Sequence, residues 1–142
     1  MADLHDDTEL TRLVCRWVAT VTGGAWHELG VEYTRDGLSV VYGSIDETSD
    51  RIIGVQLYLW TDIDTQYLHW RRVQLRIRGS RDDLLDADAI ASRIFAARHT
   101  LSREGGISGV SRASVALLGA DDNGRMERTD NYTIILDNQE SS

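Results

Sequence analysis

Val73-Gln74-Leu75-Arg76-Ile77-Arg78 alternates apolar and polar residues without a break. A period of two places Val73, Leu75 and Ile77 on one side of a strand and Gln74, Arg76 and Arg78 on the other. The strand, read over residues 67–79, therefore needs a sheet with one buried face. That fits a mainly antiparallel sheet better than a parallel one covered on both sides.

The flanking patterns supply the cover. Asp7–Thr22 places Leu10, Leu13, Val14, Trp17, Val18 and Val21 at the spacing of one helical face. Asp6, Asp7 and Glu9 suit its N-terminal dipole, and Gly23-Gly24 ends it. Cys15 and Arg16 fall off the stripe. A second helix is expected over 80–99, with Ser80 and Asp83 as a capping box and Leu84, Ala87, Ile90, Ala91, Ile94 and Phe95 as its buried stripe. Residues 30–44 read as extended around an Asp36-Gly37 turn after Tyr33-Thr34. Residues 45–50 are turn-like, 51–60 a strand apolar enough to be well buried, and 61–66 a loop. Residues 101–110 read as a glycine-bearing loop, and 113–118 and 127–136 as strands joined by a turn at 119–124. A polar tail covers 137–142. The expectation is one α+β domain spanning 1–142, with an ordered core over about 5–137 and two main helices flanking the sheet.

The 142 residues suffice for one core, and 42% hydrophobic with 27% charged residues is globular composition. No apolar run approaches the roughly 20 residues that span a bilayer, so no membrane partner is expected. The acidic N-terminus lacks the basic and apolar regions of a secretory signal. A net charge of −8 argues against a protein that holds nucleic acid through basic patches. All 15 basic residues are arginine and proline is absent. GC-rich coding accounts for the missing lysine; arginine's planar, multi-donor head also suits interfaces.

No constellation assembles chemistry. His5, His27, His69 and His99 show no metal-ligand spacing, and Cys15 has no evident base or oxyanion site. Asp62/Asp64, Asp86/Asp88 and Asp121/Asp122 are paired acids, but Asp86 and Asp88 lie on opposite sides of a helix and Asp121-Asp122-Asn123-Gly124 lacks an EF-hand's ligand pattern. Gly105-Gly106-Ile107-Ser108-Gly109 is no phosphate loop. No catalytic residue, cofactor or metal is expected. What stands out is a basic cluster in an acidic chain: Arg71, Arg72, Gln74, Arg76 and Arg78 on the strand, with Arg125 and Arg128 on a later arm. As a solvated sheet face its ion pairs count for little. As an oligomer or tail interface it suits acidic partners.

The run Val73 to Gly79, the following Asp82-Asp83-Leu84-Leu85-Asp86-Ala87-Asp88, and the ending Leu118-Gly119-Ala120-Asp121-Asp122-Asn123-Gly124-Arg125 with Glu127 to Tyr132 resemble the tail terminator or minor capsid proteins of long-tailed phages. The segment from Tyr42 to Tyr58 fits that family's extended region, without its usual proline-rich turn. The resemblance covers roughly residues 5–137. It implies an α+β virion protein, not an enzyme, that caps the head-proximal end of the tail tube as a homo-oligomer, commonly a hexameric ring. Its implied partners are the major tail tube protein and a head completion or stopper protein, with DNA passing through the channel unbound. It would be made in the host cytoplasm and end in the virion. A head-side stopper or connector is the nearest alternative, followed by a non-viral ligand-binding α+β module.

Overall fold

Asp6 opens the first helix, α1 (Asp7–Thr22), by accepting a hydrogen bond from the Glu9 backbone N–H at 3.0 Å, and Gly23 closes it in the left-handed region at φ 74°. In this computed structural model, which describes residues 3–26, 37–66 and 68–137, the strands are β1 (Ala25–Trp26), β2 (Ser39–Tyr42), β3 (Ile52–Ile63), β4 (Leu68–Arg81), β5 (Ile107–Ala120) and β6 (Arg125–Leu136). They form one six-stranded sheet in the order β1-β2-β3-β4-β6-β5. The helices α2 (Asp86–Ala96) and α3 (Arg98–Leu101) follow β4. His27, Tyr33, Thr34, Asp36, Tyr67 and the tail beyond Asp137 lie outside the described residues.

The alternation in β4 does what its pattern requires. Val73, Leu75 and Ile77 are buried in one cluster with Ile53 and Val55 of β3, Tyr132 and Ile134 of β6, Val14 and Val18 of α1, and Ile90 and Ile94 of α2. The fold is α+β, with the helices on one side of a mainly antiparallel sheet. The β3, β4, β6 and β5 pairings are antiparallel, whereas β1, β2 and β3 run parallel. Strand β2 therefore does not fold back beside β3 as a hairpin. Residues 43–51 carry the chain back across the sheet face opposite the helices. Gly54 permits that crossing, since a Cβ there would lie 2.4 Å from the Gly43 carbonyl oxygen and 2.9 Å from Ile45. We expect Gly54→Ala to cost about 1–3 kcal/mol through this overpacking, read as a lower urea midpoint at unchanged m-value.

Several expectations give way to packing. Cys15 is fully buried rather than off the stripe; its Sγ faces the Val41 carbonyl, and burial pushes the thiol up to about 12. The apolar run in β3 is buried only through Val55, and the strand continues to Ile63. A bulge between Leu57 and Leu59 turns Leu59 and Ile63 away from the helices and leaves them exposed. The second helix starts at Asp86, because β4 runs on to Arg81. Ser80 does not pair with Asp83; its N–H and hydroxyl donate to Asp86, at 2.8 and 3.1 Å. Leu84, expected in the core, is 69% exposed and Leu85 74%. Residues 101–110 are only partly loop, since α3 includes Leu101 and β5 begins at Ile107.

Candidate assembly surfaces

The sheet face opposite the helices is half covered. Over its covered half, the 43–51 loop is held by two buried arginines. Arg78 donates to the Asp46 carbonyl from both terminal nitrogens, each at 2.7 Å, and to the Ser49 carbonyl at 2.8 Å. Arg125 donates to the carbonyls of Glu47 and Ser49, both at 3.1 Å, to Asp50 at 3.2 Å and to Asp121 at 2.8 Å. Their exposures are 3% and 2%. Burial, then the neighbouring Arg125 charge, pulls the Arg78 pKa below its ordinary value, while Glu127, Asp121 and Asp46 oppose the shift. A groove of about 370 Å³ opens beside them, lined among others by Gln56, Gln74, Arg76, Asp121, Asp122 and Glu127.

The carboxylates of this network titrate low. The Arg81 hydrogen bond holds Asp50 below the usual carboxylate range. At Asp86 and Asp121 burial raises the pKa, but hydrogen bonds from Arg51 and Ser80, and from Arg125, more than offset it. A carboxylate depressed in the folded state contributes stability that is complete above its unfolded pKa and lost as pH falls through its folded value. Thermal melts should therefore change little on these groups' account down to about pH 4 and fall below it.

The open half of the same face is apolar. Leu59 lies opposite Arg72, Ile63 opposite Leu68, and Trp70 between Thr61 and Ile135. Leu59, Ile63 and Ile135 are exposed, and the Arg72 guanidinium sits 5.4 Å from the Trp70 ring centroid. Gln74 bonds Asn131, and Arg76 pairs with Glu127 at 2.7 Å while 48% exposed.

The arginine cluster read from the sequence thus divides three ways. Arg72, Gln74 and Arg76 share the open face. Arg78 and Arg125 come together as buried struts under the loop. Arg71 and Arg128 lie on the helix side. Arg71 shares the parity of Val73, is 3% exposed and pairs with Asp62 at 2.7 Å. Arg128 bonds Asp130 and Asp88, each at 2.8 Å, tying β6 to α2.

Two features had no local signal in the sequence. The Asp82-Asp83-Leu84-Leu85 loop is exposed throughout. His5, Asp62 and His69 converge from three segments, with the two imidazole centroids 5.0 Å apart.

The open sheet face, braced from behind by helices, thus carries exposed apolar rows beside arginines, residue types enriched at protein–protein contacts. A family model described as bacteriophage tail terminator protein matches residues 21–138, and the chain belongs to that family. It is a structural protein of the phage tail, and a component of the virion. No curated protein sequence matches the chain. Among the described residues no helix is long and apolar enough to cross a membrane.

Proposed function

We propose that the chain terminates the tail tube: copies close into a ring at the head-proximal end, stop addition of the major tail tube protein and present a surface to the head completion protein. Family membership across residues 21–138 carries this reading. A ring needs a heterologous, head-to-tail contact that closes on itself. The two unpartnered surfaces suit each other in that role. On one copy, Leu84 and Leu85 stand exposed behind Asp82 and Asp83. On the next, the open face offers Leu59, Trp70 and Ile135 beside Arg72 and Arg76. Apolar meets apolar and acid meets arginine, with Trp and Arg among the residue types that dominate binding energy. The net charge of −8 per chain suits a channel through which DNA slides without binding.

Deleting the gene from its phage tests the reading. Overlong tails unjoined to heads, restored to normal length by the protein supplied in trans and ringed by it in negative-stain images, are the expected result. Tails of normal length joined to heads without the protein would sink it.

A further inference from the structure

We propose that His5, Asp62 and His69 form a binding site for one borderline divalent transition metal ion of the zinc class. One ligand atom from each lies within 4.8 Å of the others. Ligands on a tetrahedral zinc at about 2.0–2.1 Å stand roughly 3.4 Å apart, so the set closes with a shift of an ångström or so. The freedom for that shift resides in His5, which precedes α1 on a half-buried segment, whereas His69 is buried.

The surroundings match a ligand set. Metal-bound histidines typically donate their other ring nitrogen to a carboxylate or a backbone carbonyl. His5 does so through Nε2 to the Asp137 carbonyl at 2.9 Å. His69 Nδ1 faces Asp62 at 2.8 Å, and the ion would replace that hydrogen bond by taking Nδ1 and the carboxylate as neighbouring ligands. The carbonyl can only accept, so it fixes the proton on Nε2 of His5 and leaves the lone pair on Nδ1. On Asp62 the bonds from His69 and from Arg71 both fall on Oδ1, which among the described residues leaves Oδ2 to a cation. Arg71 is the opposing charge, and it is also shared with Asp7 at 3.9 Å. Asp3 adds a carboxylate, bonded to the His5 backbone N–H. The balance around the site is therefore acidic. Two imidazoles and one carboxylate select zinc, cobalt or nickel over magnesium or calcium, which take oxygen ligands. A bound ion would pin the chain's beginning to the outer ends of β3 and β4. This inference is independent of the ring reading.

Titrating the full-length, untagged, chelator-stripped chain with Co2+ and Zn2+ tests it. One equivalent of Co2+ should give the visible bands of a nitrogen- and oxygen-ligated ion without a thiolate charge-transfer band, and Zn2+ should displace it and raise Tm. His5→Ala lies off the core and should leave the fold intact. It should weaken binding by about 100-fold or more, beyond the usual effect of losing an outer partner. His99→Ala should change nothing. His69→Ala should match His5→Ala where it folds. Absence of one-to-one binding to the wild-type chain would overturn the proposal. So would binding that survives His5→Ala unchanged, since the ion then sits elsewhere.

Discussion

Arg125→Ala should lower Tm by about 10 °C or more, while Arg76→Ala should move it by no more than about 3 °C. Both side chains are arginines lining one groove, and both are ion-paired. They differ in burial: 2% of the Arg125 side chain is exposed against 48% for Arg76. Removing Arg125 strips Asp121 and Asp50 of a partner, takes the Arg125 donor from the Glu47 carbonyl and leaves the Ser49 carbonyl to Arg78. Breaking a buried pair from one side costs roughly 3–5 kcal/mol, and a chain of this length loses about 2–4 °C per kcal/mol. An exposed pair such as Arg76–Glu127 contributes about 1 kcal/mol at most. Charge reversal at Arg78 should be as severe as Arg125→Ala, because a carboxylate there would meet the Asp46 and Ser49 carbonyls and Glu127. Differential scanning calorimetry on the variants decides this. Equal, small shifts for Arg125→Ala and Arg76→Ala would mean that the 43–51 loop does not rest on Arg125.

The severity at Arg78 also marks where sequence reasoning stopped. Alternation correctly turned Arg78 away from Val73, Leu75 and Ile77. It carried no information about what lies on the other side of the sheet. The 43–51 loop covers Arg78 because β2 runs parallel to β3 and the chain must return across that face. Parallel pairing is a long-range outcome that a polar, turn-like run between two strands does not announce. Arg71 failed for a different reason: counting from Val73 puts it on the buried side, and only the run of neighbouring arginines suggested otherwise. It survives there because Asp62, which lies opposite His69 two residues away, is brought onto that side by the β3 bulge and pairs with it.

Both ends of helix α1 were legible, in the acidic run that opens it and the glycine that closes it, while Cys15 joins the buried side that the stripe left out. The start of α2 was not. Asp86 is bonded by Arg51 at the end of the loop and by Ser80 of β4, which draws β4 onward and delays the helix. Tertiary hydrogen bonds there outweighed a local capping pattern. Leu84 and Leu85 are stranded in solvent by that delay. Two adjacent leucines in a helix would straddle its buried stripe; in an exposed loop between acids they carry a cost that an intersubunit contact would recover.

Leu59→Glu with Ile135→Glu should leave the subunit folded and abolish ring closure. Both positions are exposed and outside the core cluster, so a melt within about 1 kcal/mol of wild type is expected. Burying a carboxylate without a partner in an interface costs far more, and loss of an apolar anchor alone removes about 2 kcal/mol, roughly 30-fold in affinity. Leu84→Glu with Leu85→Glu should fail in the same way, from the other side of the contact. Mixing the two variants separates a head-to-tail contact from any other. In a mixture, each Leu59/Ile135 variant still offers a sound acidic-apolar loop, and each Leu84/Leu85 variant a sound open face. One good contact can form per pair, and no second can extend it. The mixture should give dimers by light scattering, no rings in negative stain and no capping of tails. An isologous contact through the open face would instead let the Leu84/Leu85 variant dimerise alone. Rings formed by either variant alone would place the contact elsewhere, and the exposed Leu117 and Leu118 of the β5 edge would then be the surface to test.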